Sequence, residues 1–143
     1  MSTLTTANSI LLLTVAGLYP VPVPISGYAV DDAFDTEEVQ SAETVMGVDG
    51  NLSAGFTPYA VPLHVNLQAD SLSNVIFDAW IGAEQIAKDK YIAGATILIQ
   101  GTGALYTFKR GFLTRFPPMP GAKKILQPRR FTIEFQEMTK GPI

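Results

Sequence analysis

The stretch AVPLHVNLQADSLSNVIFDAWIGAEQIAKDK, residues 60–90, decides the fold class, because the hydrophobic period changes inside it. Over residues 60–69 the chain alternates. Val61, Leu63, Val65, Leu67 and Ala69 fall on one side, and Pro62, His64, Asn66 and Gln68 on the other. A period of two belongs to a pleated strand with one covered face and one face that is wet or meets a partner. From residue 71 the period lengthens. Leu72, Val75, Ile76, Ala79, Trp80, Ala83, Ile86 and Ala87 keep i, i+3, i+4, i+7 spacing, which predicts an amphipathic helix over residues 71–90. Asp70, Ser71 and Ser73 offer oxygens to its first N–H groups, and Lys88 and Lys90 complement the dipole at its far end.

Outward from this stretch the remaining elements read as strands. Residues 9–18 (SILLLTVAGL) are apolar, too short for the ~20 residues a bilayer-spanning helix needs, and read as a buried strand. No positive residue precedes them, so they do not read as a secretory leader. Residues 19–25 (YPVPVPI) place prolines at 20, 22 and 24, and missing N–H donors confine them to an extended edge or linker. Val48-Asp49-Gly50-Asn51 has the Asp-Gly pair of a tight turn and predicts a hairpin between residues 44–47 and 52–56. Further strands are expected at 95–100, 104–110, 112–116 and 131–137, with the first two joined at Gly101-Thr102-Gly103. Many short strands and one helix predict a mostly β single domain over residues 1–143: a small antiparallel barrel or sandwich with one flanking helix.

Composition adds a constraint on the surface. The chain is 47% hydrophobic and only 16% charged, more apolar than a freely soluble small domain requires. Charge is also segregated. Residues 1–87 hold ten carboxylates and no Lys or Arg, whereas residues 88–143 hold ten Lys/Arg against Asp89, Glu134 and Glu137. The two parts are formally −10 and +7 within a total of −3. Such a split suits a subunit that docks on copies of itself, opposite surfaces attracting and like surfaces repelling.

Catalytic groupings are scarce. There is no Cys, which excludes disulfides, thiolate metal sites and a Cys nucleophile, and the one histidine, His64, lies mid-strand. The run Asp31-Asp32-x-x-Asp35-x-Glu37-Glu38 lacks the central glycine and ligand register of a calcium loop. It reads as a solvated acidic face or a protected strand edge. Gly101-x-Gly103 precedes no helix and is a turn, not a phosphate loop. The basic pairs Lys109-Arg110, Lys123-Lys124 and Arg129-Arg130 read either as salt-bridge partners of the acidic half or as contact surface for an acidic neighbour. No catalytic, cofactor-binding or metal-binding residue is assigned, and the chain is not expected to be an enzyme.

Four segments in order carry a resemblance: ISGYAVDDAFDTEE (25–38), VMGVDGNLSAGFTP (45–58), LQADS (67–71) and LQPRRFTIEF (126–135). Together the chain resembles, over about residues 10–138, the tail tube proteins of contractile-tailed bacteriophages. The resemblance implies a β-barrel flanked by a helix, hexameric rings stacked into a hollow tube, and no catalytic residues. It implies a virion structural protein, assembled in the bacterial cytoplasm, that serves as conduit for genome ejection. The implied partners are other copies of the chain, the sheath, a tape-measure protein, a baseplate initiator and a tail terminator. Genomic DNA would pass the lumen without specific binding, and no membrane is involved. Inner tubes of type VI secretion systems and phage-derived bacteriocins are the alternative within this class, and a ligand-binding β-barrel module the alternative outside it. On this reading Asp31, Asp32, Asp35, Glu37, Glu38, Asp49 and Gly50 form the expected acidic loop between subunits or rings. Lys123, Lys124, Arg129 and Arg130 form the expected basic interface, and His64, Asn66 and Gln68 an expected lumen-facing row.

Overall fold

The computed structural model describes residues 9–26, 28 and 33–142. In chain order the elements are β1 (Ser9–Val15), β2 (Tyr19–Ile25), β3 (Phe34–Thr36), β4 (Ala42–Met46), β5 (Leu52–Phe56), β6 (Val61–Leu67), α1 (Asn74–Ala87), β7 (Ala93–Ile99), β8 (Ala104–Arg115) and β9 (Arg129–Pro142). Seven strands form one sheet in the order β2-β1-β7-β8-β9-β6-β3, and β4 and β5 pair only with each other. Every pairing is antiparallel. The sheet curls without closing, so the expectation of a barrel or sandwich resolves to an open, sandwich-like sheet with β2 and β3 as its two ends. Phe34 of β3 lines one recess together with Ile97 of β7 and Tyr106 of β8, so the β3 end curls back over the middle of the sheet.

The expected apolar strand is central: β1 lies between β2 and β7 and buries Leu11, Leu13 and Val15. The expected proline edge is β2, at one end of the sheet. Pro20, Pro22 and Pro24 share one parity, while Val23 and Ile25 face Leu13 and Leu11 in the ladder with β1. The missing donors therefore lie along the open flank. Residues 104–110 and 112–116 are one strand, β8, and not two. The expected break is a shift of register against β7, centred on Arg110 at φ 52°. The strand expected at 131–137 runs on through 14 residues to Pro142, because β8 continues beside it.

The helix is shorter than its pattern and turned over. It spans Asn74–Ala87 and buries Phe77, Trp80, Asn74 and Glu84. At 100° per residue, Leu72, Val75, Ala79 and Ile86 lie on the opposite side, and all four are exposed, Leu72 at 84% and Ile86 at 87%. The apolar spacing was real but belongs largely to the outward face. The inward face is held by rings: Phe77 stacks on Phe131 of β9 at 4.1 Å and 11° and lies 6.1 Å from Trp80. Burying such side chains contributes about 1.5–3 kcal/mol each. The serine caps are also diverted. Ser73 Oγ accepts from Ser26 N–H and Ser71 Oγ donates to the Ser26 carbonyl, which ties the helix start to the end of β2. At the far end Lys88 takes a left-handed φ of 57° and its N–H donates to the Glu84 carbonyl.

Candidate functional site

No cluster of three or more metal-ligating side chains occurs among the described residues. His64 is buried, with Nδ1 2.8 Å from Thr132 Oγ1 and Nε2 2.8 Å from Glu37 Oε1. Asn66 is buried as well and its Oδ1 accepts from Arg130, while Gln68 is half-buried at the end of β6. This corrects the expected wet face of β6. The pairing of β3 with β6 sets residues 34–36 beside it in the sheet, and the side chains of Glu37 and Arg130 reach over that face to His64 and Asn66. His64 and Asn66 are polar supports under that cover and do not form an open row.

The expected acidic loop divides. Asp31 and Asp32 lie outside the described residues. Asp35 belongs to β3 and sits 3.5 Å from Arg130, and Glu37 is held by His64. Glu38 and Asp49 are exposed and make no ion pair among the described residues. Asp49 instead accepts from the backbone and side-chain N–H groups of Asn51, which hold its carboxyl below the usual range. Gly50, at φ 87°, closes the turn with its N–H 3.0 Å from the Gly47 carbonyl. The expected hairpin is therefore present as β4 and β5.

The basic residues divide too. Arg129 is 4% exposed and is no interface residue. Its guanidinium donates twice to Asp78 of α1, at 2.9 and 3.2 Å, and once to the Pro117 carbonyl at 3.0 Å, lying 4.9 Å from the Phe131 ring centre. The pleat sends its neighbour Arg130 to the other face of the sheet. Lys90 likewise pairs inside the subunit with the buried Glu84, which also accepts from Trp80 Nε1 and the Tyr91 N–H. Three acidic-half to basic-half pairs thus join the two parts of one subunit. Lys123 and Lys124 remain exposed in the loop 116–128, with no ion pair among the described residues.

What the residue pattern did not single out is apolar. In the hairpin, the pairs Met46–Leu52, Thr44–Ala54 and Ala42–Phe56 share one face that carries no charge. Met46, Leu52 and Phe56 are exposed there, as is Val48 at the tip. The outward face of α1 repeats the theme with Val75, Ala79, Gly82, Ala83 and Ile86, and Leu72 in the turn before the helix adds to it. Loop 116–128 adds Met119, Ile125 and Leu126, all exposed. One signal was available: Phe77 and Ile81 make the helix apolar on both sides, and such a helix is covered on both sides. These three projecting surfaces, two of them uncharged and the third carrying Lys123 and Lys124, gather most of the exposed large apolar side chains and mark candidate contact surface.

Solved structures share the fold across nearly whole chains. The anti-feeding prophage baseplate matches with a TM-score of 0.64 at 10% identity, over 99% of this chain and 98% of that one. The tube-terminating cap of the anti-feeding prophage matches at 0.60 and 14% identity, over 100% and 93%. The sheath/tube terminator of an extracellular contractile injection system (PVC) matches at 0.58 and 11%, over 92% of each chain. No curated protein matches by sequence. A family model described as "Tail fiber protein gp32" matches residues 2–139. With that match spanning nearly the full length, and a fold shared with tube, cap and baseplate components of contractile injection systems, the chain belongs to the tail fiber protein gp32 family.

Proposed function

We propose that the protein is a tail structural subunit that closes into hexameric rings and stacks them into the inner tube of a contractile phage tail. The observation that supports this most directly is the β4–β5 hairpin. It makes no pairing with the main sheet, yet exposes Val45, Met46, Val48, Leu52 and Phe56. An apolar ribbon of that kind is satisfied only by a partner. A contact between unlike surfaces of identical chains does not close on itself along the axis and so builds a filament. A compact 143-residue subunit, with a radius of gyration of roughly 14–15 Å, cannot enclose a duplex, whereas a ring can. Residual acidic side chains toward the bore would keep phosphates from adhering.

On this reading the sheath covers the outside, a tape-measure protein occupies the bore during assembly, and a baseplate initiator and a terminator bound the tube. DNA then passes through it into the host. The protein acts without catalysis or cofactor. A second reading, a terminating ring at the tube end, is supported by the likeness to the anti-feeding prophage cap over the full chain. Negative-stain microscopy of the purified protein tests both. Long tubes with a regular axial repeat are expected. Single rings that never elongate favour the terminator, and particles that remain monomeric at every concentration refute assembly altogether.

A further inference from the structure

The hairpin needs a seat, and a second region of the same chain has the matching properties. A cleft of about 640 Å³ opens between the turn before α1 and loop 116–128, lined by Gln68, Ala69, Asp70, Lys124, Ile125, Leu126 and Pro128. Its rim residues Ile125 and Leu126 are exposed, and the apolar ground continues to Leu72 immediately beyond Asp70. Loop 116–128 carries Lys123 and Lys124 and no acid. The arm over residues 38–56 carries Glu38, Glu43 and Asp49 and no base. In the hairpin Glu43 points away from the uncharged Met46–Leu52–Phe56 face, and Asp49 sits at the tip. A hairpin apolar on one face, with Glu43 on its back and Asp49 at its tip, is the complement of an apolar cleft that has Lys124 in its lining and Lys123 beside it.

We infer that the β4–β5 hairpin of one copy seats in the cleft between residues 68–70 and 124–128 of the next copy, with Lys123 and Lys124 facing its acids. The inference rests on the assembly reading above and gives it a specific contact. The outward face of α1 is the competing seat. It has equal apolar character but no charged residue to select an acidic arm, so the cleft is favoured. Asp70 is the one acid in the lining of the cleft, where Lys124 is the one base. The seat and the arm lie on one subunit as different surfaces, so docking propagates from copy to copy and does not end at a dimer.

The natural absence of cysteine makes the test direct. Val48→Cys with Leu126→Cys alters two exposed positions outside the core. After mild oxidation of assembled protein, a non-reducing gel is expected to show a covalent ladder running to high multimers, while each single variant stops at dimers. Val48→Cys with Ile86→Cys, which probes the helix face, is expected to give no ladder. Lys123→Glu with Lys124→Glu should raise the concentration needed for assembly about tenfold, and adding Glu38→Lys with Glu43→Lys should restore it. Tubes that form normally but show no ladder through Leu126, or ladder through Ile86 instead, overturn the seat and leave the tube reading standing. Wild-type protein that never assembles overturns both.

Discussion

Reversing the charge of Arg129 should destabilise the subunit strongly, while reversing that of its neighbour should not. The Arg129 guanidinium is 4% exposed and makes three hydrogen bonds, two of them to Asp78. Hydrogen bonds to charged groups are worth about 1.5–3 kcal/mol each. Asp78, however, is 52% exposed and can regain water when the partner leaves. Arg129→Met, which keeps the volume and removes the charge, should therefore cost only about 1–2 kcal/mol. Arg129→Glu instead places a carboxylate beside Asp78 and the Phe131 ring, at a site whose neighbours offer acceptors. That should cost about 3–5 kcal/mol, a large part of the ~5–15 kcal/mol that holds a domain of this size. Arg130 is half-exposed and pairs loosely at 3.5 Å with the half-exposed Asp35, so Arg130→Glu should stay within about 1 kcal/mol. With a slope of about 1–3 kcal/mol per molar urea, Arg129→Glu should lower the midpoint by more than about 1 M. Far-UV circular dichroism at a dilution that prevents assembly reads this directly. Equal urea midpoints for Arg129→Glu and Arg130→Glu would refute the buried-support role.

Three further outcomes follow from specific contacts. A Cβ on Gly111 would run into the ring of the buried Phe135, so Gly111→Ala should cost about 1–3 kcal/mol in the same denaturation assay. Phe135→Leu should recover part of that loss, and an unshifted midpoint for Gly111→Ala would contradict the close approach. The depressed Asp49 carboxyl contributes order to the hairpin tip that is complete above its ordinary value of 3.8 and fades as pH falls through its lower folded value. The Asn51 amide resonance should accordingly titrate below 3.8, and a midpoint at or above 3.8 would remove the contact. Finally, His64→Ala removes the ring that holds Glu37 at the root of the hairpin arm. Cleavage between residues 37 and 42 by limited proteolysis should speed up several-fold in the unassembled subunit, because local opening there becomes easier; an unchanged rate would show that β3 alone fixes the root.

Local rules carried most of the strand reading. The Asp-Gly turn, the proline run and the alternation near residue 133 each depend on neighbours within a few positions, and each appears where the pattern put it. Helix orientation did not follow, since Leu72 and Val75 on one side and Phe77 and Ile81 on the other give a face choice only tertiary packing can make. Arg129 and Arg130 look alike as letters. Their fates separate because adjacent strand residues point to opposite faces and only one of those faces meets Asp78, 51 positions away. His64 was misplaced for a similar reason: its cover comes from Glu37, 27 residues earlier. Charge segregation, read as evidence for contacts between copies, is partly spent within one copy on Arg129–Asp78, Arg130–Asp35 and Lys90–Glu84.

The two rims of the seven-stranded sheet bear on how such a sticky chain survives before it is used. A foreign extended peptide arriving at β2 finds carbonyls opposite Pro20, Pro22 and Pro24 but no hydrogens to offer in return, and the rim at β3 runs for only three residues. Backbone zippering, which accepts almost any sequence, is thus denied at both borders. The β4–β5 hairpin is different: its two strands pair only with each other, so each keeps an open backbone edge. Any neighbour that adds strand to strand is thereby steered to the hairpin and away from the sheet.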